Sequence, residues 1–184
     1  MAEYQRLNLY IKKKSSFSTI SRKILWFLIG KPLLASFMPG TYWRKLILRI
    51  FGAKVGIGGK IKCRIIIAEP WNLSLGDHCW LGEDVWIDNL DKVSIGNRVC
   101  ISQGVYLCTG NHNYRKESFD LELKKIIIEN DCWLAAQSII APGTIMKRGS
   151  VSSLGSVISG KIIEYGIYKG NPAKLFKMRN DKIN

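Results

Sequence analysis

An all-β parallel solenoid, wound as a triangular coil, is the fold this sequence predicts, and three observations lead there. Aliphatic residues recur every six positions, small residues often follow them, and the phase slips by two residues after the early sets of three repeats. The series runs Val55, Ile61, Ile67; Leu75, Leu81, Ile87; Ile95, Ile101, Leu107. After a break it resumes at Ile128, Leu134, Ile140, Met146, Ser152 and Ile158, and only Ser152 is polar.

A period of six suits neither an amphipathic helix nor a single alternating strand. It suits a coil whose sides are short strands, each sending one aliphatic side chain inward. Small residues such as those of Leu75-Gly76, Leu81-Gly82, Leu134-Ala135 and Ile140-Ala141 let the backbone turn at the corners. Stacked coils then form continuous aliphatic ladders with backbone pairing between neighbours. The slips between Ile67 and Leu75, and between Ile87 and Ile95, mark a corner that can hold extra residues.

The 184 residues suit one domain, and 47% hydrophobic with 23% charged residues is a globular composition. Five cysteines without a C-x-x-C pair fit a reducing cytoplasm better than a disulfide framework or zinc ribbon. Two histidines, His78 and His112, are too few for a three-histidine metal site, so no metal is expected.

Residues 1–54 form a basic, partly apolar cap segment with eleven Lys/Arg against one Glu. Lys31-Pro32 interrupts its apolar runs, so neither reaches the roughly 20 residues that span a bilayer. The late apolar run without a small-residue cleavage site argues against a signal peptide. Two readings stay open. One is a helical cap over the end of the core; the other adds a peripheral contact of residues 1–40, through Trp26, Phe27 and basic side chains, with the inner face of an anionic membrane. Residues 55–160, the solenoid domain with a loop at 108–125, carry eleven charges of each sign. Residues 161–184 form a basic tail. Basicity confined to the ends argues against a nucleic-acid partner.

The long interruption from Cys108 to Lys125 holds His112, one of the two histidines. An imidazole titrates near neutrality and can take a proton from an attacking hydroxyl. His78 lies inside a hexad and reads as a surface residue or stacking neighbour. Cys108 is the nearest thiol for a covalent route, but no second basic group adjoins it in sequence.

These hexads resemble the hexapeptide-repeat acyltransferase superfamily, whose coils wind left-handed. The segment Cys108-Thr-Gly-Asn-His112-Asn-Tyr114, followed by Phe119, is most similar to the exopolysaccharide and colanic acid O-acetyltransferases. Asn111 and Asn113 depart from that subgroup's loop, which leaves the acceptor open. The resemblance implies a left-handed parallel β-helix, acetyl-CoA as acyl donor, a sugar or glycan acceptor and a homotrimer with sites between subunits. It implies His112 as general base and Asn89, Asp88, Asn111 and Tyr114 on the acceptor side; a turn role competes for Asn89 and Asp88. On the coenzyme side it implies Trp133, Ala135, Ala136, Ser153 and Leu154, with Lys161, Lys174 and Lys177 toward the phosphates. Another acceptor (an amino sugar, serine or an antibiotic) and a non-catalytic scaffold are the competing readings.

Overall fold

The computed structural model describes residues 6–11 and 17–179, with residues 17 and 18 described by backbone alone. The parts of the cap at residues 1–5 and 12–16, and of the tail at 180–184, lie outside the described residues. From Lys54 onward the chain winds through three parallel sheets. The first face stacks Lys54–Val55, Leu73–Leu75, Val93–Ile95, Ile126–Ile128, Ile145–Met146 and Lys161–Ile162. The second stacks Lys60–Ile61, Trp80–Leu81, Cys100–Ile101, Trp133–Leu134, Val151–Ser152 and Gly166–Gly170. Ile66–Ile67, Trp86–Asp88, Tyr106–Cys108, Ile139–Ile140 and Val157–Ile158 make the third.

The register follows the hexads, pairing Val55 with Leu75, Leu75 with Ile95, Ile95 with Ile128, and Ile128 with Met146. Every inward hexad residue is buried except Val55, which is half-buried at the first coil. Each buried aliphatic contributes about 1.5–3 kcal/mol, so the ladders carry the fold. Ser152, fully buried, bonds the Ser138 hydroxyl at 2.9 Å, and Ser138 donates to the Ala135 carbonyl at 2.8 Å. A satisfied hydroxyl costs little in a core.

Corners turn through a left-handed residue three positions before an inward one: Gly58, Arg64, His78, Asp84, Arg98, Gly104, Asp131 and Gln137 all have positive φ. His78 is therefore an exposed corner residue, stacked over Gly58. All five cysteines are unpaired.

The cap is helical. Helix α1 (Phe17–Leu25) runs through a π turn at Trp26–Gly30 into α2 (Lys31–Ala35), and α3 (Tyr42–Ile50) leads into the first strand. Trp26, Leu34 and Leu48 join the solenoid core, and Trp26 Nε1 donates to the Ile67 carbonyl at 3.0 Å. The boundary expected at residue 160 moves outward. Lys161–Ile162 and Gly166–Gly170 still stack on the coils, and the chain turns back only after Gly170, where Ala173–Met178 pairs antiparallel with the last strand. The hexad pattern fades there because Ile162 is the last aliphatic the first-face ladder buries.

Candidate active site

The extra residues all stack at one corner, between the third and first faces. Residues 68–72 occupy it in the first coil, 89–92 in the second and 109–125 in the third. Side chains tie the layers: Asn72 Nδ2 donates to the carbonyls of Asn89 and Leu90, each at 3.2 Å, and Thr109 Oγ1 donates to the Asp88 carbonyl at 2.9 Å. On this base the loop rises as an antiparallel hairpin of Gly110–His112 and Leu121–Leu123.

His112 is half-buried at the end of that hairpin. Its Nδ1 lies 2.7 Å from the Phe119 carbonyl oxygen. A carbonyl only accepts, so Nδ1 carries the proton and, in the neutral ring, Nε2 keeps its lone pair. The Phe119 ring stacks on the imidazole with centroids 4.4 Å apart and planes 4° from parallel. Tyr10 meets it edge-on at 6.1 Å. Phe119 has φ +49, a conformation bulky side chains rarely adopt, and strain of this kind concentrates at functional sites. The segment carrying Tyr10 is held on the loop by the Arg6–Glu117 ion pair at 2.7 Å.

A groove of about 600 Å³ lies elsewhere, along the second face. Trp133 and Val151 form its floor, with Ser102, Gln103, Ala135, Ala136, Ser153 and Leu154 along one corner and Ile167 and Arg179 at the later coils. The Trp133 indole donates to Ser102 Oγ at 3.0 Å, which fixes the ring across the groove. Small and apolar walls with a guanidinium beside them fit a narrow flexible arm ending in phosphates. His112 does not line this groove; the third face stands between its corner and Trp133.

No family model matches the chain. WcaF of Escherichia coli K12, an acetyltransferase named for colanic acid biosynthesis, is 35% identical over 156 residues, covering 84% of this chain and 86% of that protein. The chain belongs to the hexapeptide-repeat acetyltransferases. It is accordingly an enzyme of acyl transfer. The hexapeptide-repeat acetyltransferase VCA0836 of Vibrio cholerae superposes with a TM-score of 0.82 at 19% identity, over 91% of this chain and 96% of that one. A galactoside acetyltransferase in complex with coenzyme A superposes at 0.80 and 19% identity, over 92% and 86% of the two chains. At such identity these two likenesses concern the fold.

Within this acetyltransferase the expected site residues separate into groups. Trp133, Ala135, Ala136, Ser153 and Leu154 come together in the groove. Ser102, Gln103, Ile167 and Arg179 join them unexpectedly. The hexad phase carried the signal for two of these: Ser102 and Gln103 follow Ile101 as Ala135 and Ala136 follow Leu134. Lys161, Lys174 and Lys177 are exposed and line no part of it. Lys161 belongs to the first face, and the other two extend along the returning strand. Among the described residues the cation lining the groove is Arg179, whose Nη1 also reaches the Asp131 and Gly149 carbonyls at 3.4 Å.

Asn89 is fully buried, and its carboxamide bonds Glu69, accepting from the backbone N–H at 3.0 Å and donating to the carbonyl at 2.7 Å. In this chain it holds the corner together. Asn111 is partly spent too, its Oδ1 accepting from the His112 backbone N–H at 2.8 Å. Tyr114 is exposed beside Arg115. Asp88 is half-buried under the loop and accepts from the Tyr106 hydroxyl at 3.3 Å. Burial, with Cys108 and Asp88 adjacent, pushes the Tyr106 phenol well above its ordinary value, so it stays a donor. Cys108 points its thiol at the Gly110 carbonyl, 3.2 Å away.

Proposed function

We propose that the chain transfers an acetyl group from acetyl-CoA to a sugar hydroxyl in polysaccharide biosynthesis, in the cytoplasm, with His112 Nε2 as general base. The observation that carries this reading is the 2.7 Å contact between His112 Nδ1 and the Phe119 carbonyl. It leaves the lone pair on Nε2, the nitrogen to which an acceptor hydroxyl would donate.

Acetyl-CoA supplies the activated acetyl group. Ala135, Ala136, Ser153 and Leu154 would hold its narrow arm, Trp133 its thioester end, and Arg179 its phosphates. His112 takes the acceptor proton as the hydroxyl oxygen bonds to the acetyl carbon, and returns it to the departing thiolate. The imidazolium is stabilised meanwhile by the carbonyl at Nδ1 and by the Phe119 face. Asp88 and Tyr106, beneath the loop, would orient the acceptor.

The separation of His112 from the groove supports a homotrimer in which one subunit's loop reaches its neighbour's groove. A complete site then needs two copies. WcaF's name supports an exopolysaccharide acceptor.

The test measures CoA release by chromatography across a panel of glycan acceptors, for wild type, His112→Ala and His112→Asn. The asparagine can still donate to the Phe119 carbonyl but has no basic nitrogen. Acceptor-dependent release should fall by about 10²- to 10⁴-fold in both variants. Release that survives in either one would remove His112 as the base.

A further inference from the structure

The cap helix buries one stripe, Trp26, Gly30 and Leu34, and among the described residues its other side is apolar and exposed. Ile20, Ile24, Phe27 and Leu28 recur there at one-turn spacing, and Phe37 and Met38, after α2, are exposed as well. Phe27 is 65% exposed, Leu28 64% and Phe37 76%. An uncovered patch of this kind marks an interaction surface. Among the described residues no helix is long and apolar enough to cross a membrane.

Charge decides what covers the patch. No Asp or Glu occurs between Glu3 and Glu69, while Lys12, Lys13, Lys14, Arg22, Lys23 and Lys31 fall in the cap's first part. Lys31 Nζ stands 5.9 Å from the Phe27 ring, at the rim of the patch. In a two-fold contact a second copy of this face would bring cation against cation, because such a contact pairs a surface with itself. An anionic lipid surface satisfies both halves: acyl chains take the apolar side chains, and headgroups take Lys31 at the rim and the excess positive charge of the segment.

We infer that the apolar, basic face of the cap helix docks on an anionic lipid bilayer and turns the His112 corner toward acceptors carried in that bilayer. The helix is fastened to the same corner that bears the catalytic loop. Lys23 pairs with Glu69 at 2.5 Å, and Arg22 lies 4.1 Å from the Trp71 ring centroid, both in the first coil's insertion. The loop rises from that corner two coils on, about 10 Å at the spacing of paired strands. The chain just before the helix returns to the loop through Arg6 and Tyr10. A membrane-borne glycan is thereby the acceptor class the geometry favours; this part rests on the acetyl-transfer reading.

The docking is tested on the full-length protein by co-sedimentation with sucrose-loaded vesicles, either phosphatidylglycerol mixed with phosphatidylcholine or phosphatidylcholine alone. Neither acetyl-CoA nor an acceptor is present, so the result is independent of the acetyl-transfer reading. Wild type should bind the anionic vesicles at least tenfold more tightly than the zwitterionic ones, with binding weakened by salt. The double variant Phe27→Glu, Leu28→Glu changes only exposed side chains and should lose at least tenfold in binding. Its circular dichroism and oligomer mass should be those of wild type. No binding to anionic vesicles, or binding the double variant retains, overturns the inference. So does a fall in oligomer mass by light scattering in the double variant, which would assign the face to contact between copies.

Discussion

Replacing Gly30 by alanine sets two known magnitudes against each other. Gly30 is in a helical conformation between the π turn and α2, where alanine is intrinsically favoured by about 0.8–1.0 kcal/mol. Propensity alone would make Gly30→Ala stabilising. Packing says otherwise. The added Cβ would fall inside contact distance of Trp26 Cε3 and Cζ3, and 3.0 Å from Phe51 Cε2. The indole has no room to yield: it is 2% exposed, its Nε1 holds the Ile67 carbonyl, and its ring centroid is 5.0 Å from that of Phe51. Overpacking of a seated core ring costs about 1–3 kcal/mol. Shifting the ring far enough to break the bond to Ile67 adds about 0.5–1.5 kcal/mol. The net expectation is a loss of roughly 0.5–3.5 kcal/mol once the propensity gain is deducted. Urea unfolding at one fixed protein concentration, followed by tryptophan fluorescence, reads this as a lower midpoint with the slope unchanged. A midpoint equal to or above that of wild type would refute the argument, because it would mean that Trp26 is not wedged between the helix and the first coil.

Two further outcomes follow from the groove and its flank. Ala136→Leu should raise the KM for acetyl-CoA by about tenfold, the scale of one misplaced branched side chain in a fitted site, and initial rates against acetyl-CoA concentration check it; an unchanged KM would mean the coenzyme lies elsewhere. Arg98 first, and Arg148 beside it, hold the Asp131 carboxyl below the usual carboxylate range. A depressed folded value stabilises above the unfolded one, near about 3.9, and that advantage is lost as pH falls through the folded value. Wild type should therefore exceed Asp131→Asn in thermal stability at about pH 6 and converge on it below about pH 4; parallel curves across that range would remove Asp131 as a stabilising ion-pair partner.

Much of the site was legible from spacing. A strict six-residue phase dictates which residue points inward, so burial of Ile61 through Ile158 follows from sequence. The same phase locates the groove, since positions one and two beyond each inward residue stack from coil to coil, as Ser102, Ala135 and Ser153 do. The break at 108–125 marked His112 because a solenoid interrupts its ladders only at corners, where chemistry can be added without cost to the core.

What the sequence by itself determined is thus the periodic part: the coil, its core, the corner that takes insertions and the histidine placed there. Only the tertiary structure decided contacts between residues far apart in the chain or involving backbone atoms. That the Phe119 carbonyl holds Nδ1 depends on a left-handed turn seven residues on, which no residue type announces. Asparagine suits both turns and acceptors, and only the structure shows the Asn89 carboxamide buried against Glu69. Arg179, and none of the three lysines, lines the groove because the strand after Gly170 runs back antiparallel at the edge of the second sheet. A repeat encodes the inward direction residue by residue, whereas loops and returning strands are placed by the surfaces they meet.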